Sequence, residues 1–154
     1  MRWNPGRATI DQMLSARQLQ RVPASREHAD RLVMEARELL VAAAEVQGRA
    51  PEGAYGMLYD AARKALTAIL ENQGLRPTTK GGHIAPYDAV VAQLDPPMGK
   101  IVHPFNRMRI QRNDMQYPAA ETPPISPADV QRDLPRAREI INLAERVLDQ
   151  MDVF

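Results

Sequence analysis

The sequence predicts an all-α fold, an antiparallel up-and-down helical bundle of about five helices with an additional N-terminal helix. Three observations predict it. Apolar residues recur at three- and four-residue steps through several long blocks. Prolines and glycines close those blocks. No segment shows sustained period-two alternation, and β-branched residues are scattered. At 154 residues the chain fits one domain and can bury a core without covalent staples.

The first block runs from about Thr9 to Val22. Thr9 and Gln12 have the spacing of a capping box, and Pro23 closes the segment. The second, Ser25 to Gln47, is strongly amphipathic. Ser25 is its N-cap and Gly48 its stop, and Ala29, Leu32, Val33, Ala36, Leu40 and Ala43 lie on one face. The third, Gly53 to Gln73, repeats that pattern through Tyr55, Leu58, Tyr59, Ala62, Leu66 and Ile69, and Gly74 and Pro77 end it. A polar connection, Thr78 to His83, leads to a shorter helix from Ile84 or Pro86 to Leu94.

The fifth block spans about Ile101 to Tyr117, with Pro104 near its start. Residues 118–127 hold four prolines and read as a semi-rigid linker. Ser126, Pro127 and Asp129 then open the last helix, whose start Pro135 could delay. The expected division is an N-terminal helical extension over residues 1–24 and the bundle over 25–154.

Composition narrows the function. With no cysteine there is neither a disulfide nor a thiolate metal site. His28, His83 and His103 lie in separate segments, none at the four-residue spacing of a helical metal pair, so no metal and no cofactor are expected. The start of the chain lacks an apolar leader and no stretch is long enough to span a membrane, so the expected location is cytoplasmic, without a membrane partner. Twenty basic and 19 acidic residues leave a net charge of +1, so any nucleic-acid contact must be local. The clearest local cluster is Arg107, Arg109 and Arg112.

That cluster lies in the fifth block, where Phe105, Met108, Arg112 and Met115 have the spacing of a core-facing seam. An arginine on such a seam is costly unless it is paired or faces a wet crevice. Arg109, Arg112, Asn113 and Tyr117 converge on one side of the helix, a set suited to phosphate or a base. Spacing alone fits the plainer reading better, in which the arginines are solvated charges and Tyr117 a core ring. Asp60 and Arg63 read as a helix-surface ion pair, and Gly81-Gly82 is too short for a phosphate-binding loop.

Arg112-Asn113-Asp114-Met115-Gln116-Tyr117 resembles the signature of the HEPN family, small helical bundles tied to nucleotide and RNA chemistry. In that signature an arginine, commonly followed by asparagine, precedes a histidine near a helix end. Tyr59 to Leu66 is similar to the family's earlier core helix, and Gly74-Leu75-Arg76-Pro77 with Gly81-Gly82-His83 is similar to a connection in related members. The resemblance covers roughly residues 25 to 150. It implies a homodimer and a metal-independent endoribonuclease, in which arginine and histidine of two protomers meet across the interface. Histidine would move protons between the ribose 2′-hydroxyl and the leaving oxygen, and arginine would stabilise phosphate charge.

Carried onto this chain, the catalytic positions are Arg112, Asn113 and Tyr117, and the nucleic-acid contacts are Arg107, Arg109 and Arg112. Tyr117 stands where the family has histidine, and a phenol with a pKa near 10 is a poor base at neutral pH. The sequence places neither His83 nor His103 near it. Family members also partner nucleotidyltransferases in toxin–antitoxin pairs, and Tyr117 matches the residue type of their nucleotide acceptor. Three readings stay open. One is a dimeric protein of a toxin–antitoxin or phage-defence system that binds or cleaves RNA. Another is a non-catalytic scaffold for a partner such as a nucleotidyltransferase or antitoxin. The third is a plain bundle in which Arg112 pairs with an acid such as Asp60.

Overall fold

The computed structural model describes residues 3–154 and is an all-α bundle carrying one small sheet. In order the elements are α1 (Arg7–Ser15), β1 (Leu19–Arg21), α2 (Arg26–Val46), α3 (Pro51–Asn72), β2 (Leu75–Pro77), α4 (Ile84–Leu94), α5 (Gly99–Val102), α6 (Pro104–Gln116) and α7 (Pro127–Leu148). Among the described residues, no helix is long and apolar enough to cross a membrane.

The centre of the bundle is α3. It forms a hairpin with α2 through residues 47–50, and α7 packs on both helices. Its alanines at 54, 61, 62, 65 and 68 are fully buried and let neighbouring backbones approach, while Tyr55, Leu58, Tyr59, Leu66 and Ile69 fill the space between. As expected, Ser25 caps α2, its hydroxyl accepting from the His28 amide at 3.1 Å. A capping box of Ser126 and Asp129 starts α7 at Pro127. Pro135 does not delay that helix. The carbonyl it deprives of a partner belongs to Gln131, which is exposed to water.

The first block departs from expectation. Its helix begins after Gly6 and ends at Ser15, Thr9 makes no cap, and residues 19–21 form a strand. That strand pairs antiparallel with β2, Leu19 opposite Pro77 and Arg21 opposite Leu75. Three residues are too few to show alternation, so only the pairing reveals them. The N-terminal segment packs into the bundle, and its Ile10, Met13 and Leu19 belong to the common core. Gly6 makes this docking possible. Its φ is +76°, and a Cβ there would lie 2.4 Å from the Ala92 carbonyl oxygen on α4. The block expected from Ile101 to Tyr117 is two helices, α5 and α6, separated before Pro104.

Candidate functional site

The small sheet positions one wall of the site. Leaving β2, the Thr78 amide donates to the Gln18 carbonyl at 3.0 Å. Gly81 then presses against the same residue, where a Cβ would meet the Gln18 oxygen at 2.5 Å. Gly82 follows at φ +62°, a conformation that favours glycine. This path delivers His83 to the start of α4, beside Tyr59 of α3.

The seam of α6 supplies the opposite wall. Phe105 and Met108 are buried as its spacing predicts, and Arg112, one turn further, is half-buried. Its guanidinium carbon sits 5.5 Å from the centroid of the Tyr59 ring. Arg112 thus rests on an aromatic face, a contact of about 0.5–1 kcal/mol at a partly exposed site. This is how an arginine occupies an apolar seam without a carboxylate. No ion pair joins it to Asp60, which lies 3.9 Å from Arg63 as expected.

Tyr59 organises the group. Its ring stacks on Phe105 at 5.3 Å and on His83 at 5.8 Å, and its hydroxyl lies 2.7 Å from His83 Nδ1. Burial pushes the Tyr59 phenol up to about 12, against the opposing pull of Arg63, Arg112 and Arg109, so it stays protonated. Partial burial, reinforced by Arg63 and Arg112, holds His83 below the ordinary histidine value and leaves its imidazole neutral at pH 7. When Nδ1–H donates to the phenol oxygen, Nε2 is a free base. In the other tautomer the phenol donates to Nδ1, and Nε2–H is a donor for an anion.

Tyr59, His83, Arg109, Arg112, Asn113 and Tyr117 line one crevice of about 290 Å³. Arg109 is steadied by Asn106, whose Oδ1 accepts from Nε and Nη2 at 3.1 and 3.0 Å. Asn113 is exposed, and Tyr117 stands at the rim, 78% exposed. It is no core ring.

Of the residues the sequence singles out, Arg109, Arg112, Asn113 and Tyr117 come together. Arg107 does not join them. It lies on the other side of α6, where both of its terminal nitrogens donate to the buried carboxylate of Asp133. Arg107 thus lies outside the crevice, held by Asp133. His103 is also elsewhere, 3.0 Å from Asp95 and edge-on to Tyr87. Sequence reasoning missed Tyr59, read as core only, and left His83 unplaced. The available signal was two glycines followed by a histidine at a helix start.

A larger cavity, about 640 Å³, lies between α2 and α7, but its arginines are already paired, Arg26 with Asp30 and Asp149 and Arg37 with Glu145. No cluster of three metal-binding side chains occurs among the described residues. No family model, curated protein or solved structure matches the chain. The class is therefore a helical bundle with a histidine–tyrosine pair set among arginines.

Proposed function

We propose that this chain is an RNA-acting protein of the HEPN kind, a homodimer of a toxin–antitoxin or phage-defence system, whose crevice holds a phosphodiester. The observation that carries the reading is the meeting of Arg109, Arg112 and Asn113 with a neutral histidine in one crevice. Guanidiniums bind phosphate oxygens by paired, charge-assisted hydrogen bonds. A neutral imidazole beside them does what the Tyr117 phenol cannot, accepting a proton at neutral pH.

In the reaction this supports, the ribose 2′-oxygen attacks the adjacent phosphorus and forms a 2′,3′-cyclic phosphate while the bond from phosphorus to the 5′-oxygen breaks. The 2′-hydroxyl proton passes to His83 Nε2 and from there to the departing 5′-oxygen. Arg112 and Arg109 stabilise the charge that builds on phosphorus-bound oxygens. Dimerisation fits the exposed face of α6, where Ile110 and Tyr117 both face solvent.

A second reading, a non-cleaving scaffold for a partner protein, is favoured by tyrosine at position 117 in place of histidine. Purified protein incubated with total cellular RNA and a chelator separates the two. Wild type is expected to cleave, and Arg112→Ala to lose about 100- to 1,000-fold of that activity. RNA neither cleaved nor bound by wild type selects the scaffold. Identical behaviour of both proteins towards RNA contradicts the proposal.

A further inference from the structure

The crevice just described stops at His83, but a second cavity begins there. It measures about 500 Å³ and lies on the other side of the imidazole, against α3 and the β2–α4 connection. Arg63, Thr67, Pro77, Thr79 and Pro86 line it together with His83, which belongs to both cavities. Resting on the phosphodiester reading above, we propose that the two cavities form one groove with His83 at the junction. The arginine side takes a phosphate group, the threonine side takes the nucleoside joined to it, and the ligand that fills both is a nucleoside phosphate rather than free phosphate.

The two halves differ in size and chemistry. At about 290 Å³ the arginine side falls at the lower limit for a small-molecule site, whereas about 500 Å³ lies well inside that range. The smaller side presents guanidiniums and an amide, which match phosphate oxygens. The larger has the flat apolar faces of Pro77 and Pro86 with the Thr67 and Thr79 hydroxyls, which enter no hydrogen bond among the described residues. A hydroxyl both donates and accepts, as sugar hydroxyls and base edges require. Arg76 adds little charge there, because Glu71 holds it at 2.7 Å. The remaining cation is Arg63, whose buried Nε has no hydrogen-bond partner and whose nearest carboxylate oxygen is 3.9 Å away. It stands beside the junction, where the ligand's phosphate would meet its ribose.

The test compares binding of inorganic phosphate with that of uridine 5′-monophosphate, each titrated calorimetrically into the full chain. Wild type is expected to bind uridine 5′-monophosphate about tenfold or more tightly than inorganic phosphate. Thr79→Trp, in an exposed loop, fills the larger cavity and removes that gain while leaving phosphate affinity within about twofold. Thr67→Val removes one hydroxyl at nearly constant volume and weakens uridine 5′-monophosphate alone. Equal affinity for the two ligands, or equal weakening of both by Thr79→Trp, overturns the two-sided groove. Failure of Arg112→Ala to weaken either ligand overturns instead the phosphate reading on which the groove rests.

Discussion

Replacing Asp133 by alanine is expected to destabilise the fold by about 3 kcal/mol or more, the largest effect of any single side chain outside the apolar core. Asp133 is fully buried on α7. It accepts from both terminal nitrogens of Arg107, from Arg132 at 3.0 Å and from the Tyr55 hydroxyl at 2.8 Å. Arg136 adds a third guanidinium at 3.5 Å. One carboxylate thus joins α3, α6 and α7. Without it three like charges face each other, and the inner hydroxyl of Tyr55 keeps only Gln111 at 3.1 Å. The three arginines are each about 40% exposed and rehydrate, which places the cost at the lower end for a broken buried pair.

The same carboxylate gives the fold an acid limit. Burial alone would raise its pKa, but the hydrogen bonds from Arg107, Arg132 and Tyr55 outweigh burial and hold it at about 2. A folded-state pKa below the unfolded value of about 3.9 means stability that is complete above that value. It is lost as pH falls towards 2, by about 2–3 kcal/mol in all. Urea unfolding followed at pH 7 and at acid pH checks both statements. The wild type should lose stability across this window, and Asp133→Ala should lack that part of the loss. An alanine variant as stable as wild type at pH 7 contradicts the role assigned to Asp133.

The second large effect belongs to His83. His83→Gln should lower the rate of RNA cleavage by about 100- to 10,000-fold, the range for loss of a general base, and should change RNA affinity far less than Arg112→Ala does. Glutamine keeps a polar group beside Tyr59 but carries no titratable nitrogen. The wild-type rate should fall as pH drops through the depressed His83 pKa, below the ordinary 6.5, because protonation removes the base. Single-turnover rates against pH, with affinity measured separately, decide it. Equal rates for His83→Gln and wild type would remove His83 from the chemistry.

Local physics made much of this fold legible. The Ser25 and Ser126 N-caps and the apolar stripes of α2, α3 and α7 are decided within one or two helical turns, and each lies where the sequence predicts. The anomalous arginine on the α6 seam was also visible, and it pointed to the crevice. Strand β1 was invisible because three residues have no periodicity, and its partner is more than fifty residues away. The same pairing carries His83 to Tyr59, so the histidine's place could not be read before the sheet was known. Arg107 and Arg109 looked equivalent as charges. Two positions apart they face nearly opposite sides of a helix, and only the fold reveals Asp133 waiting on one of them.

The most direct measurement is the pKa of the His83 imidazole by NMR, with and without uridine 5′-monophosphate. Binding phosphate beside Arg109 and Arg112 offsets their repulsion of the protonated ring, so the His83 pKa should rise on ligand addition in wild type and stay unmoved in Arg112→Ala. Ring resonances of His83 that ignore millimolar ligand, in a protein that remains folded, would contradict a phosphate-binding crevice at this histidine.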